Sequence, residues 1–310
     1  MRKVIFLLSC VFACARVAAA TPIVLYSNLA DTRDMAAASR PEPPAPEIEA
    51  ADDFILNDNA LVTEIKFKGL ITGGTLNAAA TNLEIYRVFP KDSDTVRTPV
   101  VPTRMNSPSD IAFDEAGFSD LKSLTITSLG TVTQLNSVKN GIHTAPPFAT
   151  NGEGPVTGTE FLFDAVLSTP MFLPADHYFF VPQISVTGGD FYWISASRPI
   201  VPPGTPITPD LQAWIRNGNL EPDWLRIGTD IIGGATPPTF NMAVSLTGET
   251  VADATPTPTA TPQPTATATR PPSNDSSGCN IDAGSTPNPT ALWILLAPAA
   301  VLWCARRRRV

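Results

Sequence analysis

Carboxylates are the most plentiful groups in this 310-residue chain that could do chemistry, with 29 Asp and Glu against two His and four Cys. Asp190, Glu221 and Asp223 stand near aromatic residues, and two carboxyls at glycosidase separation can protonate a leaving group and activate a nucleophile. Adjacent Asp52 and Asp53, and Asp92 and Asp94 in "KDSD", offer hard oxygens of the kind calcium collects, about six to eight at a time. They lack EF-hand spacing, and aspartates at a strand start can equally cap it or pair with arginine. His143 in "GIHTAPP" and His177 in "ADHYFF" have neither the serine and acid of a triad nor the further imidazoles or thiolates of a zinc centre, so they read as structural or surface residues. Nucleophile elbow, zinc helix, Walker loop and dinucleotide fingerprint are all missing from the sequence, and "GEGPVTG" (152–158) only mimics the last. A second chemistry is stacking: Tyr178, Phe179, Phe180, Phe191, Tyr192, Trp193, Trp214 and Trp224 crowd the second half, and exposed rings can lie on a pyranose. Most of these read as core. Trp214 and Trp224, in helical or loop context, are the two expected at the surface as ligand-binding residues.

The elements that must position these groups have period two. In "TEIKFKGL" Ile65 and Phe67 alternate with Glu64, Lys66 and Lys68, and in "FNMAVSL" Phe240, Met242, Val244 and Leu246 alternate with small or polar residues. Further strands are predicted at 23–27, 83–89, 123–128, 160–166, 178–186 and 191–195, bounded by Gly, Pro, Asn or Asp. Gly188-Gly189-Asp190 reads as a short hairpin loop joining the last two. "RPEPPAPE" (40–47) reads as a loop, and "TPDLQAWIRNG" (208–218) as the one short helix, capped by Thr208 or Asp210 and stopped at Gly218. Many strands, frequent turns and almost no helix imply an all-β fold, an antiparallel β-sandwich of jelly-roll type.

Composition fixes an address. Met1-Arg2-Lys3, an apolar run from Val4 to Ala15 and small residues up to Ala20 have the layout of a secretory signal peptide (1–20). An ectodomain at 21–249 follows, then a Thr/Pro-rich stalk at 250–290 containing "ATPTPTATPQPTATATRPP". Residues 291–305 read as a transmembrane helix, about 15 apolar residues and ~22 Å long, which with snorkelling flanks can just reach across a hydrocarbon core of ~30 Å. The basic tail 306–310 would hold its end on the cytoplasmic side of the membrane. All four cysteines lie in the leader or beyond residue 278, so no disulfide can staple the body, and a sizeable apolar core must hold it. The chain carries a formal charge of −8, and without the seven basic residues of leader and tail it carries −15, which excludes nucleic acid and anionic lipid as natural partners.

"IVLYSNL", "EAADDFIL", "VTEIKFKGL", "ADHYFFVPQ", "GGDFYWISA", "PDWLRIGTDI" and "FNMAVSLTG" together resemble a group of uncharacterised bacterial exported proteins with a β-sandwich ectodomain and a C-terminal sorting signal. The resemblance spans residues 22–249 and implies a fold and an extracytoplasmic home, not a reaction. "SSGCN", a brief apolar helix and an arginine cluster are similar to tripartite tails of the glycine-glycine and myxobacterial-cysteine type, which intramembrane proteases cut. That likeness implies Gly278 and Cys279 as the processing or lipidation site and a sorting protease as a partner. The expectation is therefore a surface-displayed, non-catalytic binding or adhesion module with a glycan or surface protein as partner and no cofactor beyond possible calcium. A carbohydrate-active enzyme or its accessory module is the alternative.

Overall fold

The computed structural model describes residues 21–43, 45–198, 200–201, 205–206 and 208–252. The leader, the stalk from residue 253 on, Gly278, Cys279 and the apolar run 291–305 lie outside these residues. Two sheets pack face to face as an all-β sandwich. The larger contains β1 (Ile23–Asn28), β2 (Asp31–Ala38), β4 (Ala60–Ile71), β7 (Leu121–Gln134), β8 (Asn136–Val138), β9 (Val156–Leu173), β11 (Phe191–Ala196), β16 (Asn241–Met242) and β17 (Val244–Thr250). The smaller runs β15 (Leu225–Arg226), β14 (Trp214–Asn217), β3 (Ile48–Leu56), β10 (Asp176–Thr187), β5 (Thr75–Val88), β6 (Pro108–Gly117). A separate ribbon joins β12 (Ile200–Val201) to β13 (Thr205–Pro206).

The strands read from alternation are present because half-apolar faces can be buried only against each other. Val244 pairs with Phe67 and Leu246 with Ile65, so the two strands with the clearest alternation share one inward row. Phe67 stacks on Phe163 of β9 at 4.8 Å and meets Phe180 of the opposite sheet at 6.0 Å, and Phe180 stands edge-on to Trp193 at 5.6 Å. These rings close the core without any disulfide. In the larger sheet the pairings close on themselves through β4, β9, β7, β8, β2 and β11, because β7 runs on into β8 and β8 pairs with β2. Leu70, Tyr192 and Ala38, on the side away from the smaller sheet, are consequently buried too. The β2–β8 pair is parallel, a departure from the wholly antiparallel expectation.

Two local expectations are overturned. Gly188-Gly189-Asp190 is not a hairpin: β10 pairs with β3 and β5 in the smaller sheet, whereas β11 pairs with β4, β2 and β16 in the larger. A tight Gly-rich loop carries the chain across the sandwich here, and close approach to Gly73 and Gly74 leaves no room for a Cβ at Gly189. The segment 208–218 is not a helix. Gln212 has φ of +55°, which stops a right-handed helix, and residues 214–217 extend the smaller sheet by pairing with Ile48 to Ala51. An unpaired edge of β3 outweighed the weak helical periodicity. Helical backbone among the described residues is confined to a 3-10 turn at Phe118–Asp120 and a π-helical turn at Ile227–Ile232.

Candidate functional site

Strand order brings a set of polar residues together on the outer face of the smaller sheet. Arg216 pairs in register with Glu49, Trp214 with Ala51, Phe179 with both Asp53 and Tyr86, and Val181 with Glu84. Residues of β3, β5, β10 and β14 that ordinarily would face water are thus neighbours. They are covered. Asn217 Oδ1 accepts the amides of Asn219 and Leu220 at 3.1 and 3.0 Å, which turns residues 218–224 back over the face. Trp224 there meets Tyr86 edge-on at 5.5 Å and lies beneath the Arg216 guanidinium at 4.2 Å. Asp223 anchors this lid to the 89–107 segment by accepting from Arg97 at 2.5 and 3.1 Å and from the Val100 amide at 2.9 Å, and by an ion pair with Arg104 at 3.3 Å. Ala51, Tyr86, Phe179, Val181, Leu211, Trp214 and Trp224 form a second small core between sheet and lid.

Under the lid, the Tyr86 hydroxyl lies 2.7 Å from Glu49 Oε1 and 2.7 Å from Glu84 Oε2. Arg216 Nη2 donates to Glu49 Oε1 and to the Tyr86 oxygen, both at 3.0 Å, and its Nε donates to Glu49 Oε2. Asn82 Nδ2 donates to Glu84 Oε1 at 2.5 Å and to Gln183 Oε1 at 3.2 Å, and Gln183 in turn donates to Glu47 Oε1 at 2.9 Å. Burial first, and then the neighbouring Glu49 charge, push the Glu84 carboxyl up to about 8. Burial likewise raises Glu47 and Tyr86. A neutral acid beside an arginine-paired carboxylate has the protonation pattern of a general acid, but Glu84 is 7 % and Glu49 3 % exposed, which closes both to a substrate while the lid is down.

The sequence-predicted residues fall elsewhere than expected. Trp214 and Trp224 are each 1 % exposed and belong to the lid core, because β14 joins the sheet and the 218–224 turn folds inward. Asp52 and Asp53 are fully buried at the meeting of three segments: Asp52 Oδ2 accepts the Met242 amide at 2.7 Å and Asp53 Oδ1 that of Leu211 at 3.2 Å. His177 Nε2 lies 2.6 Å from Asp53 Oδ2. Asp52 Oδ1 has no hydrogen-bond partner, and burial, then the Asp53 charge, hold the Asp52 carboxyl well above the usual range. Asp92 pairs instead with Arg87 at 3.3 Å, and Asp94 caps the Val96 amide at 3.0 Å. Asp92 and Asp94 therefore do not join Asp52 and Asp53 in one cluster, and among the described residues no three His, Cys, Asp or Glu side chains converge on a common metal position. Asp190 pairs with Arg40 at 3.2 Å and Lys139 at 2.9 Å, far in role from Asp223, while Glu221 is exposed on the lid. His143 is exposed and bonds the Pro147 carbonyl at 3.0 Å.

One open groove is lined by carboxylates and hydroxyls. It lies between the end of β6 and the last third of β9, encloses about 300 Å³, and is lined by Asp114, Glu115, Ser119, Asp120, Ser168 and Thr169. Phe118 and Phe172, adjoining it in the chain, are 42 % and 49 % exposed. Neither this groove nor the Glu49–Glu84–Tyr86–Arg216 cluster was found by sequence reasoning. For the cluster the sequence carried no distinct sign: Glu84 alternates with Leu83 and Ile85, and Glu49 with Ile48 and Ala50, as solvent-facing strand residues also do. For the groove there was none, since β6 and β9 meet only in the folded sandwich. No protein-family model matches this sequence, and no curated protein or solved structure matches it.

Proposed function

We propose that this chain is an exported, surface-displayed binding module, held out on the Thr/Pro stalk, that recognises a carbohydrate or a glycosylated surface without turning it over. The groove beside Phe118 and Phe172 carries this reading. Sugars are bound by rings that stack on their apolar faces and by carboxylates and hydroxyls that take their hydroxyl groups; the groove offers the carboxylates and hydroxyls in the open, and the exposed Phe118 and Phe172, next to its lining in the chain, are the rings assigned to stacking. The acid pair that could support catalysis is by contrast shut beneath the lid. The leader, the sorting-type tail and the strongly acidic body fit an extracytoplasmic partner and disfavour nucleic acid.

The test is a glycan array and isothermal titration with the intact protein, wild type against Phe118→Ala and Phe172→Ala. Loss of binding in either variant, at unchanged melting temperature, is expected. Release of reducing sugar that disappears in Glu84→Gln would instead establish the carbohydrate-active enzyme, and glycan binding indifferent to both Phe substitutions would remove the groove.

A further inference from the structure

We propose that closing the 218–224 lid over the smaller sheet takes up one proton, held on Glu84, so that lid closure tightens as the medium becomes more acidic. The Tyr86 oxygen has one hydrogen to give and two lone pairs to fill, and it lies within 3.0 Å of three partners. Arg216 Nη2 can only donate, which fills one lone pair. The phenol hydrogen can serve only one of Glu49 Oε1 and Glu84 Oε2, both at 2.7 Å. Glu49 already faces the arginine fork with both oxygens, so the phenol donates to Glu49 and the remaining carboxyl must donate to the phenol. Glu84 Oε2 therefore bears the proton, taken from solvent, and its Oε1 accepts from Asn82 Nδ2. Every donor and acceptor at the Tyr86 oxygen is then satisfied.

Among the described residues that face Glu84, none supplies a second cation to replace that proton. Glu49 of β3 and Glu47 just before it face Glu84, Asn82 and Tyr86 flank it on β5, and Glu115 is its cross-strand neighbour on β6. Val181 and Gln183 on β10 are uncharged, and Arg216 on β14 is committed to Glu49. On the lid Glu221 is exposed and Asp223 is taken by Arg97 and Arg104. When the lid lifts, water reaches Glu84 and the proton returns to solvent. Between the ordinary value of 4.5 and the raised value of about 8, the opening constant should accordingly rise about tenfold per pH unit and level off above it.

Hydrogen exchange by mass spectrometry on the intact protein reads this directly. The Gly218 amide is bonded to the Glu47 carbonyl and the Val100 amide to an Asp223 oxygen only while the lid is down, so these serve as the lid amides, and amides shared between β4 and β9 report global unfolding. After correction for intrinsic base catalysis, the lid amides should lose protection about tenfold per unit from pH 5 to 8, ahead of the β4–β9 amides. In Glu84→Gln, whose amide donates to Tyr86 and accepts from Asn82 at any pH, that dependence should vanish. A flat wild-type profile, an unchanged slope in Glu84→Gln, or lid amides that exchange only together with the β4–β9 amides would each overturn the proposal. So would a Glu84→Gln chain that fails to fold, since glutamine reproduces the neutral acid.

Discussion

Replacing Arg216 by methionine should be among the most damaging single changes outside the central core. Arg216 and Glu49 have side chains 3 % and 4 % exposed, and the guanidinium answers both carboxylate oxygens while stacking over Trp224 at 4.2 Å and Tyr86 at 5.3 Å. Methionine keeps most of the volume and a contact with the indole, so the change isolates the charge. What remains is a buried carboxylate facing only the Tyr86 hydroxyl, and removal of one member of a buried pair costs about 3–5 kcal/mol. Adding Glu49→Gln removes the stranded charge altogether and should restore stability to within about 1–2 kcal/mol of wild type, because a neutral amide can still bond Tyr86. Urea denaturation of wild type, the single variant and the double variant at pH 7 measures all of this, with unchanged m-values as the sign that one native state is being compared. A cost below about 1 kcal/mol for Arg216→Met, or a double variant no better than the single, would refute the view that this pair is sealed from water.

The proton on Glu84 should also make global stability fall as pH rises from about 4.5 to about 8, because Glu84 binds it more tightly folded than unfolded; this contribution approaches about 1.4 kcal/mol per pH unit, and Glu84→Gln should reduce the slope by that amount in the same denaturation series, leaving the part owed to Asp52 and Glu47. Gly69→Ala would place a Cβ 2.0 Å from the Phe191 ring, which Phe67 and Phe163 hold edge-on at 6.2 and 5.5 Å, so a loss of about 1–3 kcal/mol is expected by calorimetry and a neutral result would contradict the packing. Trp224→Ala should cost about 3–5 kcal/mol through lost lid packing, and a variant with undiminished melting temperature but impaired glycan binding would return that ring to a ligand role. Cys279→Ala should leave an uncut precursor by intact mass if the tail is a sorting signal; loss of residues 291–310 in that variant would set the cysteine aside.

The sequence by itself determined the class of fold and most of its strands. Alternation in "TEIKFKGL" and "FNMAVSL" is a local property of a half-buried strand, and the two segments do pair, Ile65 with Leu246 and Phe67 with Val244. An acidic, cysteine-free body had to rest on a large apolar core, and it does. Alternation says which side of a strand is apolar, however, not which strand lies beside it. "VTGGDFYW" has the composition of a hairpin whether its flanking strands pair or part, and only the whole arrangement sends β10 and β11 to different sheets. Likewise β3 and β10 are buried on both faces, so their polar residues carry no local sign of being covered. Trp214 and Trp224 looked exposed because they follow polar, loop-like sequence, and are buried because the free edge of β3 recruits residues 214–217 and Asn217 turns the next seven residues inward. The closeness of Glu49, Glu84, Tyr86 and Arg216 was decided in the same way. These residues are up to 167 positions apart in the chain, and their protonation follows from strand order and from the exclusion of water by the lid, quantities that do not exist until the chain has folded.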